Sequence, residues 1–489
     1  MVFQNNLLSG AGGSGTAVHT IDQSIRYNDS DSPILKKTYS SAGTEETFTL
    51  SMWVKRGNIG AGLGASNLGL TLFSGGASVS DYGEIVFRSS GYGVQDSLHF
   101  YNSASGSINF QLVTTQLFRD PSAWYHLVFV MDTTNAVASE RMRIYVNGSR
   151  VTDFSTETYP SKDAVPNFNT ATEHGIGGFA VSTDTRFFDG YLAEIVFLDG
   201  TATDCNSFAE FNSSGIWVPK SVSGLTFGTN GFHIDGRDSA DLGDDESGQG
   251  NDYTASGLAS HDQVLDSPTN NFATYNVLDN YIGGHTFSEG NLKRVKNASK
   301  RIATLVTQGA SSGKWYCECY SVTVSQLMLG IQAYRPDAEP EWPGNGVTDQ
   351  GYGYYSSNGQ RYINGSGAAY GNSWTNGDII GIAMDLDNNK LYFSKNGTFQ
   401  DSGDPTSGST GTGAISITDP ADTELGLYFF AFGDGSGTAA QTNVINCGQD
   451  GTFAGNTTAG GNSDGNGIGN FKYSVPSGYL ALCTKNLGS

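Results

Sequence analysis

Several things are scarce in this sequence, and each scarcity excludes something. No stretch approaches about 18 consecutive apolar residues, so no helix is expected to cross a membrane. Few segments hold a 3.6-residue apolar period over a dozen positions, so a helical bundle is excluded. Basic residues are few: 26 Lys and Arg face 48 Asp and Glu, for a net charge of −22. A field of that sign repels phosphate backbones and anionic lipid, so neither nucleic-acid binding nor membrane insertion is expected. Cysteine is limited to Cys205, Cys317, Cys319, Cys447 and Cys483. The number is odd, the spacing fits no metal pattern, and Cys317 and Cys319 share one strand face, so no disulfide framework is expected. The opening residues MVFQNNLLSGAGGSG lack a basic region and a long apolar region, so no secretory signal is expected, and the chain should be made in a cytoplasm and stay soluble. No phosphate-binding glycine loop or paired-cysteine motif occurs.

What is abundant is glycine, with 66 residues, and aromatic side chains, at 12%. Short apolar runs bounded by Gly, Asn, Asp and Ser recur along the whole chain. That pattern predicts an all-β protein, and the length of 489 residues predicts more than one core. The run ETFTLSMWVKRG puts Phe48, Leu50, Met52 and Val54 on one face of a strand. The stretch 124–151 reads as two strands and a tight Asn147-Gly148 turn. The segment IIGIAMDLDNNKLYFSKNGT, 379–398, reads as a strand covered on both faces, a turn at Asp387–Asn389, a second strand and an Asn396-Gly397 turn. DCNSFAEFNSSG, 204–215, is a short helical candidate, and GYLALCTKN, 478–486, a last strand. Residues 236–271 are acidic, rich in Gly and Ser and nearly free of large apolar groups. They read as a connector. The expected organisation is a Gly-rich arm over 1–17, a strand-rich domain over 18–235, a connector over 236–274, and a second β domain with a C-terminal extension over 275–489.

Two family resemblances follow from particular strings. GKWYCECYSV, LMLGIQ, YGYYSSNG, GDIIGIAMDLDNNKLYFSKNGTFQ and ELGLYFFAF, in that order over about 275–450, resemble a SPRY domain. The resemblance implies a bent β-sandwich whose loops bind partners, with no catalytic residues. FTLSMWVKRG, WYHLVFVMDTT, RIYVNGSRV and FDGYLAEIVFLDG resemble a laminin G-like, concanavalin A-like jelly roll, a family of lectins, adhesion modules and some glycanases. The expected fold is thus two β-sandwiches in tandem. The arrangement of jelly roll, connector and SPRY domain is also similar to structural proteins of tailed phages, marine ones especially.

Candidate sites were sought among the acids, the histidines and the rings. Jelly-roll glycanases need two carboxylates on one strand face, within reach of one glycosidic bond. Glu84, Glu194 and Glu318 each stand alone on their strands, so no catalytic residue is expected. His19, His99, His126, His174, His233, His261 and His285 are scattered, and His126 reads as a half-buried strand residue. No cofactor is expected; calcium is the one candidate ion, with Asp245, Asn251 and Asp252 of DDESGQGNDYT as the ligands to test. Tyr334, Trp342, Tyr352, Tyr354 and Tyr355 lie among Gly, Asn and Ser. Such rings beside small polar residues build recognition surfaces, and these five are the candidate partner-binding residues. Trp374 reads as core. The functional expectation is a non-enzymatic virion protein of fibre type that attaches to a host-surface glycan or protein, docked on the particle by its N-terminal arm and assembled as a homo-oligomer, with a trimer favoured. The alternatives are a capsid- or tail-decorating protein without receptor contact and a polysaccharide-degrading enzyme.

Overall fold

The computed structural model describes residues 19–59, 69–181, 186–279, 284–296, 301–334, 342–345, 350–435 and 440–488. The expected N-terminal arm, 1–17, lies outside them. The chain divides into two compact units, Met1–Thr269 and Asn270–Ser489. Both are β-sandwiches, as the two family resemblances imply.

Among the described residues the first unit holds two eight-stranded sheets. The middle of one runs Met142–Val146, Trp124–Asp132, Thr47–Arg56, Gly190–Asp199 and Ser24–Tyr27 in antiparallel order. The middle of the other runs Ser107–Leu117, Ser97–Ala104, Asp81–Arg88, Gly69–Ser78 and Glu173–Ile176. Alternation sends Phe48, Leu50, Met52 and Val54 inward, all fully buried, against Leu70, Leu72, Phe87 and Phe100 of the facing sheet. Each such side chain contributes roughly 1.5–3 kcal/mol through burial. The first sheet is apolar on its other face too, where Val128, Val130, Val196 and Leu198 are covered by Cys205, Phe208, Val222 and Phe227. Asn147 and Gly148 take positive φ, 47° and 83°, and Val146 pairs with Ser149, which is the tight turn that Asn-Gly predicts.

The second unit has one sheet centred on Gln441–Asn446, Lys314–Thr323, Ile379–Asp385 and Lys390–Lys395. The other runs Thr304–Leu305, Phe429–Asp434, Leu327–Gln332, Gly351–Tyr355, Gln360–Ile363 and Ser366–Ala369. The strand Ile379–Asp385 is buried along its whole length, as its unbroken apolar run implies. Asn396 and Gly397 again take positive φ and join Lys395 to Thr398.

Three expectations are corrected. The stretch 236–269 is not a connector; it folds into the first unit. Thr254–Ser256 pairs with Ile34–Lys36, and Gln263–Val264 pairs with Ser24–Ile25. Tyr253 is core, edge-on to Phe232 at 4.9 Å. Its acids are partnered inside: Asp262 meets Arg26 at 3.0 Å and Asp266 meets Lys55 at 2.7 Å, with the Lys55 and Asp266 side chains at 1% and 0% exposure. Composition scores such acids as solvated, because their cations lie more than two hundred residues away. The second unit accordingly starts before 275, with Phe272 and Ala273 fully buried. Second, 204–215 forms a three-residue 3-10 turn, Cys205–Ser207, followed by the strand Ala209–Phe211, which pairs with Trp217–Pro219. Third, only Leu480–Ala481 of 478–486 is strand, and Thr484–Leu487 is one helical turn. The ladder stops where Ala481 donates its N–H to Asp464 Oδ2 at 2.9 Å.

Candidate recognition face and the buried carboxylates

The second unit divides its aromatic residues between the two faces of one sheet. Tyr352 and Tyr354 point inward and are 2% and 0% exposed. Tyr354 packs on Trp374 at 4.4 Å and on Phe393 at 5.2 Å, while the Tyr352 hydroxyl accepts the Thr418 N–H at 2.8 Å. Both are therefore core, not binding residues, and Tyr334 at 7% exposure joins them. Trp374 is core as expected. The period of two explains the split: inward Tyr352 and Tyr354 leave Gly351, Gly353 and Tyr355 on the outer face.

Glycine shapes that outer face. A Cβ on Gly353 would lie 2.0 Å from the Pro343 carbonyl oxygen, and one on Gly433 would lie 3.1 Å from Trp342 Cβ. Only bare backbone lets Trp342–Pro343 lie so close to the sheet. Register places Gly433, Met328 and Tyr355 in one row across three strands, and Tyr362 beside Gly353 in the next. Tyr355 and Tyr362 meet edge-on at 5.6 Å, and both are half-buried, like Trp342. The Trp342 Nε1–H is buried with no acceptor among the described residues. Of the five rings proposed from sequence, Trp342 and Tyr355 share this face. Tyr362, in the same aromatic run but outside those five, joins them, because the Asn358-Gly359 turn folds its strand back beside Tyr355.

The strand carboxylates are committed internally. Glu84, fully buried, accepts from Thr71 Oγ1 at 2.5 Å, from the Tyr101 hydroxyl, and from Arg186 Nη1 at 2.7 Å. Glu194 sits in a bulge at φ 48°, where the register shifts between Ala193 and Val196. Its Oε1 is 3.2 Å from both His19 Nε2 and His233 Nε2. Burial alone would raise its pKa, but hydrogen bonds and charge from the two histidines outweigh that and hold it at about 2. Glu318 receives the N–H groups of Lys472 and Tyr473 at 2.8 and 2.9 Å, and burial pushes it up to about 7. Glu84 and Glu194 stand on opposite sheets, and their neighbours Ile85 and Ile195 point into the core between them. They therefore face away from each other and cannot share one sugar linkage. His126 is fully buried, not half-buried, and burial lowers its pKa to about 3. Trp217 Nε1 donates to its Nδ1 at 3.1 Å, so the other nitrogen carries the proton and donates to Ser51 Oγ at 2.9 Å. With that proton on the nitrogen facing Ser51, the ring is not placed to take the serine's own proton.

Asp245, Asn251 and Asp252 do come together. Asp245 Oδ1 accepts the N–H groups of His233 and Ser247 at 2.8 and 2.9 Å, and Oδ2 accepts the Ser247 hydroxyl and the Asn251 N–H at 2.8 Å each. Asp252 Oδ1 accepts the Asp245 N–H at 3.1 Å, and Asn251 donates its amide to the carbonyls of Thr229 and Gly231. These oxygens staple a turn. Among the described residues, no group of three or more His, Cys, Asp or Glu is placed to hold a metal ion.

Residues 30–205 match the family model of the concanavalin A-like lectin/glucanases superfamily, and residues 322–414 match that of the SPRY domain. Among curated proteins, Ran-binding protein 9 of Danio rerio is 28% identical over 137 residues, covering 27% of this chain and 22% of that protein. The Ran-binding proteins 9/10 homolog of Drosophila melanogaster is 30% identical over 94 residues, covering 18% of this chain and 9% of that protein. The chain thus matches about a fifth or less of the length of these relatives. Among solved structures, a human SPRY domain is 15% identical, covering 33% of this chain and 94% of that one, with a TM-score of 0.24. The heptameric SAP-like pentraxin of Limulus polyphemus is 16% identical, covering 38% of this chain and 80% of that one, with a TM-score of 0.27. The chain carries a laminin G-like, concanavalin A-like domain followed by a SPRY domain, two β-sandwiches in tandem.

Proposed function

We propose that this is a non-catalytic recognition protein of a virion surface, which binds a host-surface glycan or protein through the outer face of its SPRY domain. The observation that carries the reading is the row of half-exposed rings Trp342, Tyr355 and Tyr362 over a glycine floor. Rigid amphipathic rings bind at low entropic cost. The committed state of Glu84, Glu194 and Glu318 supports the non-catalytic part. The phage setting rests on the architecture described above. Assembly as a symmetric homo-oligomer, a trimer by preference, would multiply a weak single-site affinity.

The test is adsorption. Labelled full-length protein should bind host cells, and Tyr355→Ala with Tyr362→Ala should weaken that binding at least tenfold while both units stay folded. Unchanged binding by the double variant would refute the assigned face. Imaging of the intact particle should show these rings pointing outward; rings buried against neighbouring subunits would make the chain a decoration protein instead.

A further inference from the structure

Along the sequence the cysteines look unconnected, and Cys317 and Cys319 on one strand face cannot readily join. The fold gives Cys317 a different neighbour. The strand Lys314–Thr323 is bordered by Gln441–Asn446 along 318–323 and by Leu480–Ala481 along 315–316. Glu318 is the last residue paired with the first of these, opposite Asn446. One position further, where one border strand leaves and the other takes its place, Cys317 lies opposite Cys447.

There the two sulfurs meet. The Cys447 thiol donates to Cys317 Sγ at 3.4 Å, and both residues are fully buried in the core of the second unit. Residues directly opposed on antiparallel strands have Cα atoms about 4.5–5.5 Å apart, inside the roughly 4.4–6.8 Å that a disulfide spans. The sulfurs must close from 3.4 Å to about 2.05 Å, by rotation about their Cα–Cβ bonds. Cys319 is the competitor, but it stands opposite Ile445, and its sulfur accepts Asn443 Nδ2 at 3.5 Å. Burial raises the Cys317 thiol well above its ordinary range, so the closed core holds few thiolates and exchange is slow. Access comes through local opening at the changeover between the border strands. Cys447 is followed by Gly448 at φ 122°, and residues 448–479 form no strand. Irregular chain of this kind opens before the ladder does.

We propose that Cys317 and Cys447 are a modification site that forms a cross-strand disulfide when the chain meets a low-molecular-weight disulfide. The Cys447 thiolate attacks one sulfur of that reagent, expels a thiol and leaves a mixed disulfide. Cys317 then attacks Cys447 Sγ and expels the second thiol. The two cysteines lose two electrons and two protons, and the reagent is reduced to two thiols. The product joins residues 130 positions apart and staples the sheet where the C-terminal extension leaves it. A closed loop of that length removes much of the freedom of the unfolded chain. The inference is independent of what the recognition face binds.

The experiment holds reduced, full-length protein at pH 8 in mixtures of reduced and oxidised glutathione until nothing further changes. Alkylation and intact mass then count the thiols, and calorimetry reads the melting temperature. Oxidation should remove two thiols and two hydrogens, with no glutathione retained. It should raise the melting temperature of the second unit by about 5 °C or more, and dithiothreitol should reverse the rise. Cys319→Ser should oxidise as the wild type does, and peptide mapping of that variant locates the bond without altering the pair itself. Cys317→Ser and Cys447→Ser should each form no internal bond. All five cysteines still free in the most oxidising mixture, a bond that includes Cys205, Cys319 or Cys483, or a melting temperature that does not rise would each overturn the proposal.

Discussion

The two units face the same architectural problem and solve it with different chemistry. Each must hold a late, strand-poor segment on a finished sandwich. The first fastens 236–269 with the amide-accepting Asp245 turn and, in addition, with buried ion pairs, Arg26 to Asp262 and Lys55 to Asp266, the latter also receiving Trp124 Nε1 at 3.0 Å. The second fastens its last forty residues by turning carboxylates toward backbone amides. Glu318 takes two of them, and Asp464 takes those of Asn466, Ile468 and Ala481 at 2.9 Å each. An ion pair needs a specific distant partner and leaves a bare charge when broken. A carboxylate on amides needs only a chain that passes close by. The first device is therefore fragile to single substitutions, and the second is sensitive to pH.

The largest effect should come from breaking the deepest ion pair. Asp266→Ala strands the Lys55 ammonium and should destabilise the first unit by about 3–5 kcal/mol. Joint replacement of Lys55 and Asp266 by apolar residues of similar size should restore most of that. Urea unfolding followed by domain-resolved hydrogen exchange reads both, and equal losses in the single and joint variants would refute the stranded-charge account.

Next in size is a pH contrast of opposite sign. Glu318 titrates near 7 in the folded second unit, above its ordinary value of 4.5. Its contribution is complete below 4.5 and is lost as pH rises through about 7, up to roughly 3 kcal/mol. Glu194 titrates near 2 in the first unit, below its ordinary value of 4.5. Its contribution is present above 4.5 and is lost as pH falls toward 2, again roughly 3 kcal/mol at most. His233 is held above its ordinary 6.5 against the effect of burial, chiefly by Glu194, so its share is complete below 6.5 and fades as pH rises. Between pH 5.5 and 8, exchange protection should fall more in the second unit than in the first, while toward pH 3 both units lose protection, because buried His126 in the first and His285 in the second must take up protons. Glu318→Gln should remove the second unit's loss at the basic end, and Glu194→Gln should reduce the first unit's loss at the acid end, where buried histidines such as His126 supply the rest. Parallel profiles would refute the contrast.

The smallest effect concerns the Asp245 turn. Its carboxylate oxygens already accept four hydrogen bonds, so millimolar calcium against a chelator should move the melting temperature by no more than about a degree, whereas a tight ligand would raise stability by kilocalories. A shift of several degrees would show that these oxygens serve an ion after all.

The candidate face was half legible. Tyr354 and Tyr355 are neighbours in a Gly- and Tyr-rich run, and nothing in composition tells which one faces the core. Alternation says only that they oppose each other; burial of Tyr354 against Trp374 and Phe393 decides which way. Glu194 looked solitary because His19 and His233 stand 175 and 39 positions away along the chain. The connector was misread for the same reason, since Arg26 and Lys55 precede Asp262 and Asp266 by the length of a domain.

Local order along the chain was enough to specify strands, Asn-Gly turns, an all-β fold and the run buried on both faces between 379 and 385. Those features depend on side-chain alternation and on which residues tolerate positive φ, and both act over a few positions. The partners of buried charges and the inward or outward choice for each ring were decided only when distant strands met. They depend on desolvation and hydrogen bonding between groups that the folded chain, and nothing shorter, brings within a few ångströms.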